Sequence, residues 1–221
     1  MNLYEVDNGE VTDANEINLY TTNNRILIKG ENKINISDGM MEATGLLIRS
    51  DMQDFVIMTG ENEALRFTKE ELEGMFSMLS MFSDDDEADV SIDSDTDFKY
   101  TNEVRTLQGM KATELQIYHK NKKGHISIWL TNELDIDWGM LTRPWTNVPA
   151  GMNKSVNKVT QEFQSRNFPL LVEVFEQDAN YTIFEVTQVK KSRIARDMVE
   201  LPPNIELLSL QTLIMKAMMN R

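Results

Sequence analysis

Short apolar runs and alternating apolar and polar residues recur along the chain, a pattern typical of β-strands joined by tight turns. Three hairpins are predicted, at residues 45–58, 111–131 and 169–189, each with a short polar turn between two apolar runs. Residues 25–29 and 33–37 are predicted as two further short strands separated by Gly-Glu-Asn. Consecutive hairpins with short turns predict a meander of neighbouring antiparallel strands, with no crossover helices between them.

Three segments show the apolar periodicity of amphipathic helices. The first begins at Thr68, which forms a T-x-x-E capping box with Glu71. Its apolar face comprises Leu72, Met75, Phe76, Leu79 and Phe82. The second runs from about Asn153 to Arg166, with an apolar stripe of Val156, Val159 and Phe163. The third begins after Ser209 as its N-cap. Its apolar face comprises Leu210, Leu213, Ile214, Ala217 and Met218.

A sheet meander with a few amphipathic helices predicts an α+β fold, because the apolar faces of the helices need the apolar face of the sheet to pack against. We expect a single domain over residues 1–221, since this length suits one domain with a full core. An acidic connector, residues 83–99, is expected inside that domain.

Composition narrows the classes of function. The chain has 41% hydrophobic and 26% charged residues, which is ordinary globular composition, and a formal net charge of −14. Such an acidic chain repels phosphate backbones, so no nucleic-acid partner is expected. Cysteine is absent, which excludes disulfides, thiol catalysis and cysteine-based metal sites. No apolar run approaches the roughly 20 residues that span a bilayer, so the protein is not expected to be transmembrane.

The acidic stretch has two interpretations, a metal loop or a solvated connector. Asp93, Asp95 and Asp97 give the D-x-D-x-D opening of a calcium loop. A calcium loop of the EF-hand type also needs a glycine at its sixth position and a glutamate at its twelfth, and these positions hold Phe98 and Val104. The connector is therefore favoured over the metal site.

Other candidate chemistry is weak. His119 and His125 flank a five-residue turn, but a transition-metal site needs at least a third protein ligand, and surface histidines are the simpler interpretation. No nucleophile elbow, phosphate-binding loop, dinucleotide fingerprint or zinc-protease motif occurs. We therefore expect no enzymatic activity, no catalytic residue, no cofactor and no metal.

Fifteen methionines and a tryptophan-containing loop are the remaining features. Met78 and Met81 broaden the apolar arc of the first helix, which suits either core filling or a cavity for apolar ligands. The loop Asp135–Trp145 carries two tryptophans, which either rim a binding site or, as the favoured interpretation, plug the open end of the sheet.

Residues 103–134 resemble the central motif of a bacterial exported family of unknown function, in which a T-x-x-I-x-G strand leads through a turn to a W-v-t-k-e-L strand. The matching positions are Thr106, Gly109, Met110, Trp129, Thr131, Glu133 and Leu134. Residues 17–30 resemble the early strand pair of that family, residues 68–82 its Met-rich helix, and residues 189–219 its ending. The ending here reads VELPPNIEL and lacks the family's glycine and tyrosine.

The resemblance implies a fold akin to the LolA/LolB lipoprotein carriers, a strongly curved antiparallel half-barrel with helices covering its concave face. Residues 1–20 do not read as a signal peptide, so either the protein is cytosolic or its leader is absent from this chain. The resemblance implies the second alternative, a periplasmic or secreted protein. The expected function is non-enzymatic binding of a lipid, acyl chain or other apolar ligand between sheet and helices. The alternative is an envelope interaction or scaffold protein with a fully packed core. The expected ligand-binding residues are Leu72, Met75, Phe76, Met78, Leu79, Phe82, Leu213, Ile214 and Met218.

Overall fold

A computed structural model provides the structure of the protein. It describes residues 1–7, 9–36, 41–59, 62–74, 96–119, 123–144, 148, 153–177, 179–209, 211–212 and 215. None of the helices within these residues is both long enough and apolar enough to cross a bilayer.

Strands dominate the described residues. They are β1 (Asn2–Asp7), β2 (Glu10–Thr21), β3 (Arg25–Ile36), β4 (Met41–Arg49), β5 (Asp54–Met58), β6 (Glu63–Thr68), β7 (Thr96–Leu107), β8 (Met110–His119), β9 (His125–Thr131), β10 (Phe168–Phe175), β11 (Asn180–Glu185) and β12 (Glu206–Ser209). The helices are α1, described over residues 69–74, and α2 (Asn153–Gln164), and residues 211–212 and 215 are also helical. Two 3-10 helices span Gly139–Thr142 and Arg196–Val199.

All twelve described strands belong to one sheet, in the order β12-β6-β5-β4-β3-β2-β1-β11-β10-β9-β8-β7. Neighbouring strands are antiparallel except β12, which lies parallel to β6. The sheet-rich α+β fold and its hairpins are thus confirmed. The sequence pattern did not predict β12, whose residues read as the approach to a helix.

Strand β2 changes partner halfway along its length. Residues 10–16 pair with β1, and residues 17–21 pair with β3. The change occurs at Ile17, whose N–H donates to the Met1 carbonyl at 2.7 Å while the Met1 ammonium donates to the Ile17 carbonyl at 2.9 Å. Strand β1 therefore occupies the sheet position beside β2 only as far as Ile17.

Three clusters of buried side chains form the core. The first joins Ile26 and Ile48 of β3 and β4 to side chains of β8, β9 and β10 and to the loop after β9, including Trp129, Trp138 and Phe168. The second lies on the opposite face of β3–β6 and is closed by Val199 from the second 3-10 helix. The third contains Leu65, Phe67, Leu72, Met140 and Leu208.

Helix α1 begins as its sequence predicts. The Glu71 carboxylate accepts a hydrogen bond from the Thr68 N–H at 2.8 Å, and the Thr68 hydroxyl accepts one from the Glu71 N–H at 3.2 Å. This reciprocal pair is the capping box. The Ser209 hydroxyl accepts a hydrogen bond from the Thr212 N–H at 3.2 Å, as expected of an N-cap before the helical residues 211–212.

Helix α2 differs from its predicted stripe. Phe163 packs on Trp138 with ring centroids 4.6 Å apart, as an apolar face requires, but Val159 is 50% exposed. The buried residues of the helix are Thr160 and Glu162. Polar contacts, described below, decide which face of α2 is turned inward.

Two predicted boundaries also changed. Residues 25–29 and 33–37 are not two separate strands, since residues 25–36 form the single strand β3, with a register shift against β4 between Lys29 and Ile34. This irregularity absorbs the Gly-Glu-Asn stretch that the pattern suggested as a turn. Strand β7 begins at Thr96, inside the range predicted as the acidic connector, and residues 83–95 of that range lie outside the described residues.

The loop after β9 fills the core. Ile136, Trp138 and Met140 are buried, and the Trp138 ring stacks against Phe163 and Phe168. Trp138 is therefore a core residue, while Trp145 lies outside the described residues.

Candidate functional site

A groove of about 540 Å³ opens beside Met1, at the N-terminal end of β1, and lies in the size range of small-molecule sites. Its two walls are residues 17–21 of β2 and residues 188–192 of the chain that follows β11. The remaining lining residues are Met1, Leu134, Ile136, Phe168, Val186 and Ile194. We call this feature the β1 groove, because it continues the sheet position that β1 occupies.

The floor of the β1 groove is apolar and belongs to the first core cluster. Ile136, Phe168 and Val186 are buried members of that cluster, and Leu19 and Val189 pack against it. The floor is therefore held rigidly by the core beneath it. Burial of ligand carbon on such a surface is favourable at about 25 cal/mol per Å².

The rim of the groove is polar and carries positive charge. Lys190 and Lys191 are both exposed lining residues, and Asn18, Gln188 and Ser192 also line the groove. Two adjacent lysines stand out on a chain of net charge −14. They favour an anionic group at the mouth of an otherwise apolar site.

One wall of the groove presents main-chain groups that are directed away from β3. In an antiparallel ladder, successive residues direct their N–H and C=O alternately to one neighbour and the other. Thr22 donates to the Arg25 carbonyl at 2.9 Å on the β3 side, and Ile17 bonds to Met1 on the β1 side. Residues 18 and 20 therefore bond to β3, and Leu19 and Thr21 direct both main-chain groups into the groove.

A second cavity of about 290 Å³ is more polar and is lined in part by Tyr100 and Asn167. Both side chains donate hydrogen bonds to the buried Glu162 of α2, and Lys158 forms an ion pair with Glu162 at 2.7 Å. Burial opposes ionisation of Glu162, but the donors Lys158, Tyr100 and Asn167 outweigh it and lower the pKa of its carboxyl. Burial and the hydrogen bond to Glu162 raise the pKa of Tyr100.

Glu114 is a second buried carboxylate, on β8. Ser127 and Thr101 each donate a hydroxyl hydrogen bond to it at 2.6 Å, and Gln116 donates at 3.3 Å. Burial opposes ionisation, but these donors outweigh it and lower the pKa of Glu114. A carboxylate with a lowered pKa and several donors is a poor general acid or base at neutral pH, so Glu114 and Glu162 read as structural acceptors.

A buried ion-pair cluster joins three strands. Asp54, with no exposed surface, accepts from Arg49 through two bonds of 2.8 and 2.6 Å, and from Arg66 at 2.6 Å. The guanidinium of Arg49 and the carboxylate of Asp54 form two parallel hydrogen bonds, so each of these two buried charges has a partner. This cluster fixes the register of β4, β5 and β6 and lines neither cavity.

Of the nine residues predicted to bind an apolar ligand, Leu72 is the one within the described range. It is buried in the third cluster against Leu65, Phe67 and Met140, and it lines neither cavity. The other eight, Met75, Phe76, Met78, Leu79, Phe82, Leu213, Ile214 and Met218, lie outside the described residues. The predicted helix site therefore stays a prediction.

No metal site is found within the described part of the chain, where no three histidine or carboxylate side chains are grouped to hold an ion. Asp97 is paired with Lys154 at 2.8 Å, and Asp93 and Asp95 lie outside that part. His125 stacks on Phe175 with ring centroids 4.7 Å apart.

Sequence reasoning missed the β1 groove because its walls come from chain segments more than 100 residues apart. The available signals were the apolar alternation of Ile17 and Leu19 and the paired Lys190 and Lys191. Neither signal indicates that the two segments meet.

Comparison with known proteins gives no match, since no family model, no curated protein and no solved structure is similar to this chain at a significant level.

Proposed function

We propose that the protein is a non-enzymatic binding protein of the cell envelope, periplasmic or secreted, and that the β1 groove holds a ligand with an apolar part and an anionic part. A lipid or single acyl chain with a carboxylate or phosphate head has this chemistry. The apolar chain lies on the floor formed by Ile136, Phe168 and Val186, and the head group lies at Lys190 and Lys191. This pairing of apolar floor and basic rim is the observation that carries the proposal.

We further propose that the sheet is strongly curved, as in the LolA/LolB carriers that the sequence resembles. Strands β4 and β8 stand seven places apart in the sheet order, which in a flat sheet corresponds to about 34 Å at about 4.8 Å per strand. Side chains of both strands nevertheless belong to the first core cluster. This membership supports a sheet that bends around a shared interior.

Binding of a fluorescent fatty acid, followed by its displacement with unlabelled lipid extracts, tests the proposal. We expect micromolar or tighter binding by the unmodified protein. Val189→Asp places a carboxylate on the apolar floor and is expected to abolish binding, since an unpaired charge disfavours apolar contact. The matched control is Thr187→Asp, two residues away and exposed, which leaves the floor unchanged.

Two results contradict the proposal. One is failure of the unmodified protein to bind any of a range of fatty acids and lipids. The other is equal binding by the two aspartate variants, which would place the ligand elsewhere.

The second candidate is an envelope interaction or scaffold protein that takes no small molecule. The packing of Leu72 in the third cluster favours it, since this side chain of the predicted helix site is already buried by protein. Absence of lipid binding together with capture of a polypeptide partner is the result expected for this candidate.

A further inference from the structure

The walls of the β1 groove offer a kind of recognition that an acyl chain does not use. An acyl chain contacts the floor and the lysines, but it has no groups to bond with the main chain of Leu19 and Thr21. These two residues present two N–H donors and two carbonyl acceptors along one side of the groove. Open main-chain edges of this kind pair with added strands.

The groove lies in line with a strand position of the sheet. Strand β1 lies between β2 and β11, pairing Asn2 with both Glu16 and Glu185. Beyond Met1, the walls are residues 17–21 of β2 and residues 188–192 after β11. Where β1 lies, the outer strands β2 and β11 are two inter-strand spacings apart, about 9.6 Å, and the groove continues the line of that position.

We propose that the β1 groove binds an extended segment of another polypeptide, which adds to β2 as an antiparallel strand in line with β1. The inference rests on the proposed function in that both place the ligand in this groove. It differs in the class of ligand, because the main-chain groups of Leu19 and Thr21 bond to the added strand.

The side chains of the groove specify the segment. A residue that bonds to Leu19 in an antiparallel ladder directs its side chain to the same face as Leu19, toward Ile136 and Phe168. Apolar residues are therefore expected at alternate positions. Strands β2 and β11 run in the same direction, since β1 is antiparallel to both, so Lys190 and Lys191 lie toward Thr21. The added strand begins at that end, and acidic residues are expected at its N-terminus.

The test uses the full chain and a synthetic peptide of about six residues, the usual strand length, with two N-terminal aspartates followed by alternating valine and threonine. Hydrogen exchange is measured at the amides of Leu19 and Thr21, with the peptide and with a fatty acid. We expect the peptide to protect both amides and the fatty acid to protect neither. A scrambled peptide with the same composition is the control for non-specific binding.

A matched pair of variants isolates the main-chain contact. Thr21→Pro removes the N–H that faces the groove, and proline is tolerated at an open strand edge because no ladder bond to β3 is lost. Thr21→Ala keeps that N–H. We expect peptide binding by Thr21→Pro to be about tenfold weaker than by Thr21→Ala, the size of one hydrogen bond. Fatty-acid binding is expected to be equal in both variants.

The outcomes separate the two proposals. Fatty-acid binding without peptide binding overturns the strand proposal and leaves the proposed function standing. Peptide binding with protected amides and no fatty-acid binding supports the strand and overturns the acyl ligand. Peptide binding that is equal in the proline and alanine variants overturns the strand proposal. Concentration-dependent dimers whose Leu19 and Thr21 amides are protected without peptide also overturn it, since the occupant is then a second copy.

Discussion

Two open strand edges in this protein differ in regularity and in covering contacts. One is the edge of β2 inside the groove, and the other is β7 at the end of the sheet. Strand β7 has a register shift between Tyr100 and Val104, with Asn102 at a positive φ of 65°. Helix α2 also contacts it, where Lys154 bonds to the Thr96 carbonyl and Glu162 to Tyr100. The β2 edge from Ile17 to Thr21 pairs with β3 without a register shift.

Position at the end of a sheet does not by itself make a strand available for docking. Bulges and contacts with other elements are devices that block edge-to-edge pairing. Strand β7 has both, whereas the interior edge of β2 has a straight ladder, an apolar floor and a basic rim.

Truncation of a side chain is expected to lower the free energy of unfolding much more on β2 than on β7. Ile17→Ala deletes a side chain that is 8% exposed and is expected to lower the free energy of unfolding by about 3 kcal/mol. Val104→Ala, at a β7 residue that is 49% exposed, is expected to change it by less than about 0.5 kcal/mol. Urea denaturation measures both, and equal effects would contradict the contrast.

Loss of the Glu162 carboxylate is expected to release α2 from β7. Glu162→Ala leaves Lys158, Tyr100 and Asn167 without their shared acceptor and is expected to cost about 2 kcal/mol in unfolding free energy. The neighbouring exposed residue gives a matched control, since Gln161→Ala makes the same change in helix propensity. Thermal denaturation compares the two variants, and similar midpoints would show that the cluster does not hold the edge.

Charge reversal at the rim is expected to weaken the binding of anionic ligands in the groove. In a Lys190→Glu/Lys191→Glu double variant, affinity for a fluorescent fatty acid should fall about tenfold, or about 1.4 kcal/mol. A Lys99→Glu/Lys111→Glu variant makes the same change in net charge at exposed residues outside the groove. The difference between the variants should shrink with added salt, because exposed charges are screened. An unchanged affinity in the first variant would remove the lysines from the site.

A fall in pH is expected to weaken the contact that Glu162 makes between α2 and β7, by less than the substitutions above. The folded pKa of Glu162 is below its ordinary value, so the unfolded chain takes up its proton at the higher pH. The stability that this group contributes is therefore fully present above about pH 4.3 and is lost as pH falls through the folded pKa. Denaturation at a series of pH values should show a shallower acid decline in Glu162→Ala than in the unmodified protein. Parallel curves would contradict the assignment.

Local patterns predicted most of the sheet. The hairpins of β4–β5, β8–β9 and β10–β11 were predictable because each pairs neighbouring residues through a short polar turn. The capping box of α1 was predictable for the same reason, since Thr68 and Glu71 are three residues apart. Strand β12 was not predictable, because it pairs with β6, more than 100 residues away.

Burial of polar side chains and long-range contacts explain why the remaining features were not predicted correctly. The inward face of α2 is set by Glu162, which finds donors on β7 and at Asn167, while the apolar Val159 remains exposed. Periodicity assigns apolar residues to the interior and has no means to identify partners that bury a carboxylate. The β1 groove depends on long-range contacts in the same way, so only its separate parts were visible in the sequence.

The long separation between β12 and its partner β6 has a consequence for folding. Residues 10–68, which contain β2 to β6, can pair as one block of local hairpins. The strands that complete this block on each side, β11 beyond β1 and β12 beyond β6, come from residues 180–209. Because the entropy of closing these long loops must be overcome before the outer strands pair, both flanks of the block are expected to close late in folding.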